Sequence, residues 1–277
     1  MAILGIVIPP ATWISAAAIV LITLVNGKQS GMVATALALI GAALFAFLIF
    51  SAPQVAIIFA LLAWLPAWLA AMILRQTVSM AYSLQVLTGI AVLAVLIIYA
   101  LFPDFGEHWR ETLDEMVMQL AEQSEDFSLA ELKQTEDWII GFLPGLFASS
   151  LMFGTMLSLF LGRWWQAALY NQGGFAKEFQ SMNLGKTAAM IAVAVLLVAV
   201  VINSMVTTAV ASVVLVLYGM QALSIMHAAI NIRRLNGMWL FALYLTMFFI
   251  PQLLLVLILV SLADPWLDVR QRLMARS

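Results

Sequence analysis

The chain has 277 residues, 65% of them hydrophobic and only 9% charged, with a mean hydropathy of +1.07. A water-soluble domain carries roughly 25% charged residues, and a folded chain of this size cannot hide so much apolar surface from water. Lipid must therefore be the solvent. The net charge of −2 and the absence of any cysteine exclude a basic nucleic-acid surface, disulfides, thiolate catalysis and cysteine metal sites.

The fold class expected is all-α: a polytopic transmembrane bundle. A spanning helix needs about 20 apolar residues, and eight segments qualify, at 3–25, 31–50, 53–74, 83–102, 138–161, 185–203, 205–230 and 237–262. The first basic residue is Lys28. Ala16–Ala18 imitates a cleavage site, but a cleavable signal needs a positive n-region, so this segment is expected to stay as the first span. No lipidation motif is present. Asn26 to Gly31 forms a polar turn, and Ser51-Ala52-Pro53 is a break with Pro placed to start the next helix. Arg75-Gln76-Thr77 ends the third span. Pro9-Pro10 and Pro251 are expected to kink or break their spans.

The chain then divides into three regions: four spans over 1–102, an acidic insertion at 103–137, and four more spans with a short tail over 138–277. Of 14 acidic residues, 11 lie between Asp104 and Asp137. Two amphipathic helices are expected there. Trp109, Leu113, Met116 and Leu120 recur at helical spacing, and Ser128 with Glu131 reads as a capping box. The acidic face is either simply solvated, a cap over the membrane domain, or a docking surface for a cationic partner.

Residues 162–186 read as a second loop, in which Arg163, Trp164 and Trp165 form an interfacial anchor and Gly173-Gly174 a turn. The apolar stretch from Thr187 to Ile230 is too long for one crossing, and Ile202-Asn203-Ser204 is its best hairpin point. Orientation is nearly tied. With the acidic loop outside, seven basic residues lie inside, but an eighth span carries Arg270, Arg272 and Arg276 outside with Arg110 and Lys133.

The central parts of the spans contain no Asp, Glu, Lys or Arg. Buried ionisable groups mark proton relays and catalysis in membranes, so a carboxylate-coupled transporter and an aspartyl protease are disfavoured. The chain has two His in all, and neither His-Glu-x-x-His nor Gly-x-Ser supports a protease. No enzyme, metal or cofactor is expected.

One polar stripe stands out. Tyr218, Gln221, Ser224, His227 and Asn231 follow at spacings of 3, 3, 3 and 4, which puts them on one side of a helix. Two readings are open: interhelical hydrogen bonding, or a polar wall lining a cavity for an uncharged or zwitterionic small molecule. Gly219 allows close approach of a neighbour or ligand. Asn203, Ser204, Thr207 and Thr208 form a structural cluster at the hairpin. Ala11–Ser15, Gly141–Gly145 and Ala188–Ala192 are small-residue pairs that permit close helix packing.

The C-terminal half, roughly residues 140–272, resembles the YybS-like family of uncharacterised bacterial membrane proteins. The resemblance rests on Leu143-Pro144-Gly145, on Arg163-Trp164-Trp165-Gln166, on the run from Leu217 to His227, and on Asp264-Pro265-Trp266-Leu267-Asp268-Val269-Arg270-Gln271-Arg272. The family typically has Gln-Gly at Gln221-Ala222 and Phe at Val269. It is distantly similar to the substrate-capturing S components of energy-coupling factor transporters. That likeness implies a small-molecule-binding membrane subunit in the bacterial inner membrane, with a membrane protein partner docking at the first span, where Ala11–Ser15 stands for the usual Ala-x-x-x-Ala. The alternative from another class is a non-transporting scaffold that acts through the acidic insertion.

Overall fold

A computed structural model describes residues 9–123 and 129–275. Every regular element in these residues is helical. The main ones are α1 (Pro9–Asn26), α2 (Lys28–Phe50), α3 (Gln54–Thr77), α4 (Met80–Leu101), α5 (Arg110–Gln123), α6 (Leu129–Tyr170), α7 (Gly174–Gln180), α8 (Gly185–Ile202), α9 (Met205–Ile232), α10 (Met238–Phe249), α11 (Gln252–Leu267) and α12 (Val269–Met274). Six of them are long and apolar enough to cross a membrane, namely α2, α3, α4, α6, α8 and α9. The apolar stretch Thr12–Asn26 of α1 is shorter, and α10 with α11 form a bent pair. The protein is a polytopic helix bundle.

Several boundaries follow directly from local chemistry. Pro9 and Pro10 are the first described residues of α1, so whether they kink or break a longer span lies outside the described residues. Pro53 precedes α3, whose first positions need no amide donor. Inside α3, Ala60–Trp64 widens into a π turn just before Pro66, which has no amide to close an ordinary turn. Asn203 takes a left-handed conformation (φ 48°), and Ser204 then caps α9 in a reciprocal box with Thr207.

α6 departs furthest from the expected boundaries. It runs unbroken for 42 residues, about 63 Å at 1.5 Å per residue. Its first two turns are the second amphipathic helix of the insertion, and its last two turns take in Arg163, Trp164 and Trp165, so the expected loop at 162–186 begins only after Tyr170. Nothing between Leu129 and Tyr170 stops the helix, and it continues through Pro144. Ser128, the expected cap, lies outside the described residues. α6 packs against α1 and α9 at glycines. A Cβ on Gly145 would meet the Ala209 Cβ at 2.5 Å, and one on Gly162 would meet the Val20 side chain at 2.6 Å, so these axes approach too closely for any side chain.

α9 is the central strut of the C-terminal half, with thirteen buried residues including Tyr218, Gln221 and Ser224. α4, α8 and α11 all pack on it.

The segment expected to be an eighth span does not cross. α10 and α11 are bent by 118° at Ile250-Pro251. α11 then runs alongside α9 in the same direction: Ile258 and Leu254 face Gly219, Ser261 Oγ donates to the Tyr218 carbonyl (2.9 Å), and Arg270 reaches Ser224 (2.9 Å). α10 leaves from the end of α9 and α11 returns to that same end. The pair is a re-entrant hairpin.

This geometry collects charge by side. Arg75 donates to the carbonyls of Thr23 (3.2 Å) and Leu24 (2.5 Å), and Arg163 pairs with Glu178. Lys28, Lys177, Lys186, Arg233 and Arg234 sit at the same end by connectivity, and the fold-back adds Arg270 and Arg272. Among the described residues, only Arg110 and Lys133 are basic at the opposite, acidic end. The conflict created by an eight-span path disappears.

Candidate functional site

The five stripe residues all lie on α9, but they wind around half of its circumference and look toward different neighbours. Gln221 is fully buried. It accepts from the Leu184 amide (2.9 Å) and donates to the Ser261 carbonyl (3.1 Å). Ser224, also buried, donates to the Phe179 carbonyl (2.5 Å) and accepts from Arg270 (2.9 Å). Asn231 donates to Gln180 Oε1 (2.9 Å). These three residues stitch α9 to α7, to the 181–184 loop and to the C-terminal elements. That is the work expected of polar side chains in lipid, where an unpaired group is costly.

Arg270 completes this node, and nothing in the stripe pattern pointed to it. Asp268 is left-handed (φ 46°) and turns the chain so that Arg270 folds back onto Asp264 (3.2 Å). Arg270 also donates to the Met182 carbonyl (2.8 Å). Asp264 is 2% exposed and accepts from the Val269 amide (3.1 Å). Burial pulls the Arg270 guanidinium below its ordinary range, and the Asp264 carboxylate opposes that shift. The signal available in sequence was an acid and a base flanking the end of a long apolar run.

His227 and Tyr218 are placed differently: both line cavities. His227 Nε2 lies 2.8 Å from the Tyr244 hydroxyl, and its ring meets Phe179 edge-on with centroids 5.4 Å apart. Together they border a cavity of about 620 Å³ near the basic end, walled by Phe160, Trp164, Phe175 and Phe179. The aromatic walls touch one another: Phe175 stacks on Phe179 (5.8 Å), and Phe160 meets Phe179 edge-on (5.4 Å). Gln172 and Gln180 supply the other polar lining, and no Lys, Arg, Asp or Glu borders it. Trp164, expected as an interfacial anchor, is thus also a wall of this cavity. Arg163 beside it is tied to Glu178 (Nε to Oε2, 2.9 Å). Trp165 shares the same turn of α6.

At the acidic end, α5 is clamped to the start of α6. Arg110 pairs with Glu107 (2.5 Å) and Asp137 (2.9 Å), and Lys133 pairs with Asp114. Glu136, 1% exposed, lies 3.4 Å from Lys133 and 3.7 Å from Arg110. The acidic face is therefore partly an ion-pair lock and not only a solvated surface. Of the apolar stripe, Met116 is exposed and Leu113 half-buried, while Trp109, just before α5, packs its ring on Phe147 with centroids 5.8 Å apart.

Compared with protein-family models, with curated proteins and with solved structures, the chain matches none.

Proposed function

We infer that this protein is a small-molecule-binding subunit of the bacterial cell (inner) membrane that holds its ligand without transforming it. The observation that carries the reading is the aromatic cavity at the basic end. Its volume of about 620 Å³ falls within the range of ligand pockets, and it has the usual composition of apolar walls with a few convergent polar groups. The His227–Tyr244 pair and Gln180 offer hydrogen bonds, and the lining carries no fixed charge, which suits an uncharged or zwitterionic molecule. The basic end faces the cytoplasm, since Lys and Arg collect there. The resemblance to YybS-like proteins and S components accords with a ligand-capturing subunit that hands its cargo to a membrane partner.

Mass spectrometry of small molecules released from the intact purified protein tests this. A defined metabolite should be retained, and retention should fall in His227→Ala and Tyr244→Phe. Equal retention in all three proteins, or none in any, overturns it.

A second reading rests on α5. Its exposed Met116 and Met118, on a helix held in place by ion pairs, suit a scaffold that engages a partner outside the membrane. Removing residues 105–136 would abolish partner capture under this reading while leaving ligand retention intact.

A further inference from the structure

The hairpin of α10 and α11 turns inside the membrane. Leu254, two residues past the start of α11, lies against Gly219, 3.9 Å from a Cβ built there, near the middle of the spanning helix α9. The break at Ile250-Pro251 is therefore at mid-depth. Every helix leaves its last carbonyls unpaired, and at this depth there is no water to take them up.

The backbone accounting at the break is specific. The Ile250 amide reaches the Thr246 carbonyl (2.7 Å) and the Leu253 amide turns to the Ile250 carbonyl (3.0 Å). Pro251 has no amide to return to Met247, and the Gln252 amide bonds to neither Phe248 nor Phe249. The carbonyls of Met247, Phe248 and Phe249 thus have no donor among the described residues. Beside them stands Gln252, whose carboxamide offers two N–H donors and is likewise without a partner among the described residues. The run from Phe248 to Gln252 is exposed without interruption, and α10 has no buried residue. One turn of chain therefore presents both unpaired acceptors and unpaired donors to lipid, where each is costly.

We propose that this tip is the interface between two copies of the chain, related by a two-fold axis along the membrane normal, with the Gln252 carboxamide of each copy donating to the Phe248 or Phe249 carbonyl of the other. A two-fold contact is self-complementary. Copies inserted the same way meet only at equal depth, so donor and acceptors must share one level, as they do here. Phe248, Phe249, Leu255 and Leu259, all exposed, supply the apolar contact around the polar centre. The interface goes beyond the ligand reading and does not depend on it.

Energy transfer in phosphatidylcholine liposomes tests the proposal. The full chain, carrying Asn236→Cys for dye attachment, is prepared as donor-labelled and acceptor-labelled populations, mixed, and diluted with lipid. A concentration-dependent dimer is expected. Gln252→Leu removes both reciprocal bonds and should weaken the dimer about tenfold, at the modest strength of hydrogen bonds between helices in lipid. The Gln252 side chain holds nothing within the chain, so the melting temperature of this variant in single-copy nanodiscs should be unchanged. Copper-catalysed oxidation of Ile250→Cys should give covalent dimers, whereas Ile40→Cys, exposed on α2, should not. A monomer at every dilution, an equally tight dimer in Gln252→Leu, or cross-linking at position 40 in place of position 250 would overturn the proposal. Cross-linking of position 250 to a different membrane protein in cells, with none to its own copy, would overturn it as well and assign the tip to that partner.

Discussion

Arg270 and Asp264 meet at 3.2 Å across a left-handed turn at Asp268, and their contact fixes the C-terminal tail against the 181–184 loop and α9. Asp264 is almost completely buried, so neither partner can be removed without stranding the other. Arg270→Ala is expected to lower stability by about 3 kcal/mol, the usual cost of an uncompensated buried charge. Adding Asp264→Asn should recover part of the loss. Thermal unfolding in detergent of the two single variants and the double variant checks this, and strict additivity would show that the pair is not coupled.

The re-entrant hairpin fixes which ends of the chain share a compartment. The protein has no cysteine, so single cysteines report sidedness without background. Asn236→Cys and Gln271→Cys are expected to react with an impermeant thiol reagent from the same side of the membrane, and Glu111→Cys from the other. Labelling of positions 236 and 271 from opposite sides would mean that α10 and α11 cross.

The α5 clamp should loosen in acid. Hydrogen bonding to Arg110 holds the Glu107 carboxyl below its ordinary range, and hydrogen bonding to Lys133 does the same for Asp114. A carboxylate with a depressed folded pKa adds stability above its unfolded value and loses it as pH falls through the folded one. The α5 clamp is therefore expected to hold at neutral pH and to release progressively below about pH 4. A spin label at Leu120→Cys would gain mobility over that window. Release on raising the pH instead would contradict these ion pairs.

Close packing at glycine gives a steric prediction with an internal control. Gly145→Ala places a Cβ 2.5 Å from that of Ala209 and forces α6 and α9 apart, at a cost of about 1–3 kcal/mol. Gly41→Ala meets nothing within 4 Å and should be neutral or slightly stabilising, since glycine weakens helix interiors. Comparable melting temperatures for the two variants would show that the α6–α9 contact tolerates separation.

Much of the bundle is legible in the residues, because a run of about 20 apolar residues in lipid has essentially one solution. The Asn203-Ser204 turn carries its own local signal. The eighth segment was misread because residues 237–262 are equally apolar whether they cross or fold back; Pro251 marks a break but not its angle. α6 was cut short at both ends because charge at Lys133–Asp137 and at Arg163 imitates a boundary, although nothing there stops the helix. The stripe on α9 was legible as a pattern. Its division was not: Gln221 and Ser224 find partners 37 to 46 positions away, and only tertiary packing determines that Tyr218 is left without one.

The continuity of α6 has a mechanical consequence. One helix carries Lys133, Glu136 and Asp137 at the ion-pair lock and Phe160 and Trp164 at the wall of the aromatic cavity, and it is pinned between them where Gly145 meets Ala209 and Gly162 meets Val20. The two faces of the membrane are thus tied together by a single continuous backbone.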